Sequence, residues 1–179
     1  MTGTWVALSF PALLTSCQNA WEERGGATDF VTLAADEASV LEAMVAQLIP
    51  TTDTPGAREA GVIHFLDAAL GTFFAPMLDP TRAGIEAVSV KAAELYGGES
   101  SFTELDDAQQ IAVLKEIEDE GFFGAILFTT VAGMFSHPDH GGNKDKVGWS
   151  LIGFDDQHAW APPFGHYDAE YNQSAGGQG

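Results

Sequence analysis

The stretch Ala35-Asp36-Glu37-Ala38-Ser39-Val40-Leu41-Glu42-Ala43-Met44-Val45-Ala46-Gln47-Leu48-Ile49-Pro50 sets the fold class. Its apolar side chains Val40, Leu41, Met44, Val45, Leu48 and Ile49 recur at helical spacing, so a helix beginning near Ala35 should bury one face. Pro50 ends it, because proline has no N–H to donate and crowds the preceding turn.

Working outward, the same period returns four times. Pro50-Thr51-Thr52-Asp53-Thr54-Pro55-Gly56-Ala57 sets two prolines around side chains that bond to local backbone, which predicts an ordered turn. Thr54 is the expected N-cap of the second helix and Pro55 its first residue. Val62, Ile63, Phe65, Leu66, Ala69 and Leu70 would form its buried stripe, running on into Phe73 and Phe74. His64 and Asp67 lie three apart on it, a spacing that can bring them together. Asp79-Pro80 signals a third helix carrying Ile85, Val88, Ala92, Leu95 and Tyr96, with Gly97-Gly98 as its stop. Asp106 and Gln109 have capping-box spacing for a fourth, with Ile111, Leu114 and Ile117 inward. Phe122, Phe123, Ile126, Leu127, Thr130, Val131, Met134 and Phe135 mark a fifth, more apolar helix, expected at the centre of the bundle.

No segment shows sustained period-two alternation, so the fold class is all-α: a small bundle of about five helices with a long irregular aromatic C-terminal arm. The expected organisation is an apolar, signal-like N-terminal arm and linker over residues 1–32, a helical domain over 33–154 and an irregular arm over 155–179. Trp160, Pro162, Pro163, Phe164 and Tyr167 fall in that last arm. Aromatics separated by prolines cannot bury themselves in a helix, so they fold back on the bundle or lie across another protein.

The chain has 179 residues, 45% of them hydrophobic, enough for one domain with a real core. Its 26 Asp and Glu outnumber 7 Lys and Arg, for a formal net charge of −19. Nucleic acid is excluded as a partner on that balance, since phosphate binding needs clustered cations. The one cysteine, Cys17, follows the apolar run Trp5 to Leu14, which is too short to span a bilayer. Leu14-Thr15-Ser16-Cys17 fits a bacterial lipobox, yet the first basic residue is Arg24, so the positive start of a signal peptide is missing. A signal remnant with Cys17 lipidated or bridged, and a plain apolar arm with a free thiol, stand as equal readings.

Chemistry-bearing clusters are few. His137-Pro138-Asp139-His140 brings two imidazoles and a carboxylate together, ligand types that zinc or non-haem iron accepts. Pro138 makes this a turn, so the side chains need not converge. No Gly-x-Ser-x-Gly elbow appears, and Gly141-Gly142-Asn143 lacks the spacing of a nucleotide loop. The longer segment His137 to Phe154 is rich in glycine and aromatics, a composition that suits docking better than bond-making.

Two segments resemble a known family. Ile49-Pro50-Thr51-Thr52-Asp53-Thr54-Pro55-Gly56-Ala57, leading into Ala60-Gly61-Val62 and Phe65-Leu66-Asp67, resembles the first signature of the gluconate 2-dehydrogenase subunit 3 family. Pro138-Asp139-His140-Gly141-Gly142-Asn143 with Gly148-Trp149 and Leu151-Ile152-Gly153-Phe154 is similar to the second. The resemblance covers about Leu33 to Phe154.

It implies a small, exported, non-catalytic helical subunit of a bacterial dehydrogenase complex that acts on the CH–OH group of a sugar, glycoside or sugar acid. The implied partner is a large flavoprotein of the glucose-methanol-choline (GMC) oxidoreductase type, which holds FAD and is folded and exported with help from the small subunit. A cytochrome c carrying haem c is implied as a third subunit, and the setting is the periplasm or the outer face of the inner membrane. Membrane association is then indirect, or made through Cys17. No catalytic, cofactor-binding or metal residue is expected on this chain. The chain departs from the family in two places: no Arg-Arg pair precedes its apolar stretch, and His140 stands where the family commonly has Tyr. The expected docking residues are Pro50, Thr51, Asp53, Thr54, Pro55, Gly56, Gly141, Gly142, Asn143, Gly148, Trp149, Phe154 and Trp160. The alternatives are a free-standing metal-binding protein or enzyme using His137, Asp139 and His140, and a binding module anchored by lipid at Cys17.

Overall fold

The computed structural model describes residues 30–98 and 100–156; the expectations for Cys17, for Trp160 and for both terminal arms lie outside them. The described residues form six α-helices: α1 Ala35–Leu48, α2 Val62–Leu70, α3 Leu78–Tyr96, α4 Asp107–Lys115, α5 Gly121–Phe135 and α6 Val147–Leu151. No strand occurs among them, so the fold is all-α.

Helix α1 turns Ala38, Leu41, Met44 and Val45 inward, the stripe its period predicts. Helix α2 is short and almost wholly enclosed, with only His64 and Ala68 facing solvent. Seven of its nine residues are buried, and it packs on α1 and on α5. Helix α5, expected at the centre, packs on α1, α2, α3 and α6 and leaves one face open. Ile126, Thr130 and Met134 of α5 face inward, while Leu127, Phe128 and Val131 face out.

Helix α3 buries Thr81, Gly84, Ile85, Val88 and Ala92, and the Phe122 ring lies directly over Gly84. Leu95 and Tyr96 are exposed at its C-terminal end. The α4 capping box forms as read: Gln109 N–H donates to Asp106 Oδ1 at 2.9 Å and Asp106 N–H to Gln109 Oε1 at 3.0 Å. Inside α4 the stripe is Gln110, Val113 and Leu114, and Ile111 points outward, contrary to expectation. Ile117 is buried from the turn beyond the helix. Gln110 is satisfied on both sides of its amide, donating to the Phe102 carbonyl at 3.0 Å and accepting from Gln47 Nε2 at 2.9 Å. The first of these fastens α4 to the turn that carries the buried Phe102, and the second ties it to α1.

Two starts differ from the sequence reading. Thr54 does not cap α2 and Pro55 does not open it; Gly61 stands immediately before the helix at φ 63°. Helix α3 begins one residue earlier than Asp79, after a short 3₁₀ turn at Ala75–Met77. Phe73, expected in the buried stripe of α2, lies in the turn after it and is exposed.

Candidate docking site

The two signature segments, about 80 residues apart in sequence, meet at the start of α2. In the first, Ala57 N–H donates to the Ile49 carbonyl at 2.9 Å and closes residues 49–57 into a loop. Glu59 holds that loop from its exposed side: Oε2 accepts from Thr51 Oγ1 at 2.7 Å and from Gly56 N–H at 2.8 Å. These donors keep the Glu59 carboxyl below its ordinary value, the Thr51 hydroxyl contributing most. Gly56 is buried under the Ile49–Thr51 backbone, whereas Pro50, Thr51, Asp53, Thr54 and Pro55 are exposed on the outside.

The second segment folds back on α5 and α2. Lys144 N–H donates to the Ala60 carbonyl at 2.9 Å, which joins the two signatures directly. Asn143 is 0% exposed. Its Nδ2 donates to the Ser136 carbonyl and its Oδ1 accepts from Gly148 N–H, both at 2.9 Å. Trp149 Nε1 donates to the Phe135 carbonyl at 2.8 Å. The carbonyls at the end of α5 have no partner within the helix, and these two side chains supply one for Phe135 and Ser136.

Glycine is required here by proximity. A Cβ on Gly142 would meet the Gly133 carbonyl, and one on Gly148 the Met134 carbonyl, backbone that cannot step aside. The chain between them passes through three left-handed residues, Asn143, Asp145 and Lys146, and then enters α6. That helix, with Gly148 and Trp149 on it, is absent from the sequence reading because five residues are too few to show a period.

Gly56, Gly142, Asn143 and Gly148, expected as docking residues, are therefore interior. Gly141 is half-buried against the His64 carbonyl. Trp149 is half-buried, with its ring 5.0 Å from that of Phe154 and 5.6 Å from that of His137. Phe154 itself is exposed.

His64 and Asp67 do not pair. His64 stacks on Phe30 at 5.6 Å, whereas Asp67 is buried and bonds the chain before α1. Its Oδ2 accepts from Val31 N–H at 2.9 Å, and its Oδ1 from Thr32 and Leu33 N–H, both at 2.8 Å. The sequence held a sign of this: Asp67 follows Ile63 by four and precedes Leu70 by three, inside the buried stripe, where a carboxylate must find donors.

His137, Asp139 and His140 stay on the surface. The two rings are 6.5 Å apart, and His137 Nδ1 already accepts the Asp139 N–H at 3.3 Å. Among the described residues no three His, Cys, Asp or Glu are grouped to hold a metal ion.

Neither a curated protein nor a solved structure matches the chain. The family model described as gluconate 2-dehydrogenase subunit 3 matches residues 35–156, which include both signatures, the bond between them and all six helices. The chain belongs to the gluconate 2-dehydrogenase subunit 3 family.

Proposed function

We propose that this chain is an accessory subunit of a dehydrogenase complex, and more narrowly the non-catalytic small subunit of a periplasmic, FAD-dependent GMC-type enzyme that oxidises a sugar, glycoside or sugar acid. The observation that carries the reading is the family membership over residues 35–156. In this reading the flavin sits on the large subunit, haem c on a third, and this chain helps the flavoprotein to fold, persist and be exported.

How the chain uses its polar groups supports a scaffolding task. Glu59, Asp67, Asn143 and Trp149 each bond backbone of the chain itself, at distances of 2.8–2.9 Å. Bonds of this kind fix the shape of loops, and a partner then meets a preformed surface at low entropic cost. The exposed rim of the joined signatures, Pro50 to Pro55 on one side and Trp149 with Phe154 on the other, is where the reading puts part of the docking surface.

Co-expression tests it. The flavoprotein subunit made together with this chain should be soluble and carry FAD, measured by flavin absorbance per polypeptide, and made alone it should lose most of both. Equal yield, FAD content and activity without this chain would overturn the reading.

A further inference from the structure

We propose that the outward face of α5, formed by Leu127, Phe128 and Val131 and extended by Phe73, is the seat of the flavoprotein subunit, which presents an apolar, uncharged strip to it. The proposal rests on the accessory-subunit reading and names the surface that reading leaves open. Phe128 is 64% exposed and Phe73 58%, with Leu127 and Val131 also above two-fifths. Single apolar residues on a surface are ordinary, but Leu127, Phe128 and Val131 stand on successive turns of one helix. Phe73 and Phe74 extend the patch sideways: their rings lie 4.6 Å apart, and Phe74 meets Phe128 at 6.5 Å.

The helix itself carries no charge anywhere from Gly121 to Phe135. By contrast the outer side of α3 bears Arg82, Glu86 and Glu94, as a solvated face should. In a chain of net charge −19, a 15-residue helix free of acids is a local departure that water does not explain. Glu118, Asp119 and Glu120 stand exposed at its N-terminal end, so the matching surface is apolar with basic residues at that rim.

Charge also argues against other occupants. A second copy would bring −19 against −19, a repulsion that works against self-association. Anionic lipid would be repelled in the same way.

The test uses the full chain co-expressed with the flavoprotein subunit and a tag on the latter. Phe128→Lys and Val131→Lys should each cut co-purification at least tenfold, while Val90→Lys, at an equally exposed apolar site on α3, should leave it unchanged. Wild-type chain that co-purifies together with a Phe128→Lys variant that does so equally well overturns the surface and leaves the accessory reading standing. Wild-type chain that fails to co-purify overturns both. The isolated chain should be monomeric by light scattering, and should not sediment with zwitterionic or anionic vesicles. Phe128→Lys should leave its melting temperature within about a degree. A dimer or vesicle binding lost on Phe128→Lys, or a melting temperature that falls by several degrees, would assign the face to a second copy, to lipid or to the chain's own terminal segment, and would overturn the proposal.

Discussion

Asn143 Oδ1 accepts the Gly148 N–H at 2.9 Å inside a loop where the asparagine has no exposure to water at all. The same side chain donates to the Ser136 carbonyl, so its loss leaves a buried donor and a half-buried acceptor without partners. Asn143→Ala should cost about 2–4 kcal/mol in urea unfolding, from two lost bonds and the unpaired groups left behind. Part of that is backbone, because Asn143 sits at φ 48°. Asn143→Gly should recover about 1 kcal/mol of the loss. Asn143→Asp should be as damaging as alanine, since a carboxylate oxygen would then face the Ser136 carbonyl. A cost below about 1 kcal/mol for alanine would mean the loop is not closed in this way.

Asp67 and the backbone from Val31 to Leu33 form a second internal tie, three N–H groups on one buried carboxylate. Asp67→Asn replaces one acceptor oxygen by an NH₂ group that points at amide donors. Bonds to a charged acceptor are worth about 1.5–3 kcal/mol each, so the variant should lose about 2–4 kcal/mol. The local reading is sharper: hydrogen exchange at Val31, Thr32 and Leu33 should lose its protection. The amides of α4, at the far side of α1, should change only by the global loss of stability. Retained protection at Thr32 and Leu33 would remove Asp67 as the holder of this segment.

How far the sequence shows this structure depends on how local each cause is. The stripe of α1, its stop at Pro50 and the capping box of Asp106 and Gln109 are written in residues three and four apart, and they appear where the period and the caps put them. The start of α2 is not local. Thr54-Pro55 is a sound cap signal, but residues 49–57 are drawn into a loop by Glu59 and by the Ile49 carbonyl, and the helix starts only after Gly61. The orientation of α5 was hidden for a different reason. A helix apolar on all sides has no polar face to say which way it turns, so Leu127 and Val131 look as inward as Ile126. At the docking site, the glycines and aromatics were legible as a motif, while their internal bonds to Ser136, Phe135 and Ala60 depend on contacts no spacing encodes.

The Glu37–Arg82 pair gives stability a defined dependence on pH. Arg82 Nε donates to Glu37 Oε1 at 2.7 Å, and Ala34 N–H donates to Oε2 at 2.9 Å. The Arg82 bond is the largest cause of a Glu37 carboxyl held below its ordinary value of 4.5. A carboxyl whose value is lower in the folded state stabilises the fold above its unfolded value, and that contribution disappears as pH falls through the folded one. Wild-type protein should therefore be more stable than Glu37→Gln at pH 7, with the gap shrinking once the pH drops below 4.5 and vanishing under strong acid. Chemical denaturation of both proteins at pH 7, 5 and 3 measures it. A gap that is constant with pH would show that the pair contributes nothing through its charge.

Net charge acts on the stability of the chain as a whole. The chain has 26 acidic residues, of which Glu37, Glu94 and Asp156 form ion pairs with Arg82, Lys91 and Lys146. Others crowd together in sequence, as Glu116, Glu118, Asp119 and Glu120 do in the exposed turn between α4 and α5, where Glu116 and Glu120 also act on Lys91. Salt shortens the reach of such repulsion from about 10 Å at 0.1 M to about 3 Å at 1 M. It also weakens the ion pairs, but exposed pairs are worth only about 0–1 kcal/mol each, so relief of repulsion wins. The melting temperature should rise by several degrees between low salt and about 1 M sodium chloride. Glu118→Gln combined with Asp119→Asn should raise the low-salt value and flatten the slope, which separates charge screening from a general salt effect on apolar burial. A slope that is flat in the wild-type chain, or unchanged in the double variant, would place the acidic excess where its charges do not feel one another.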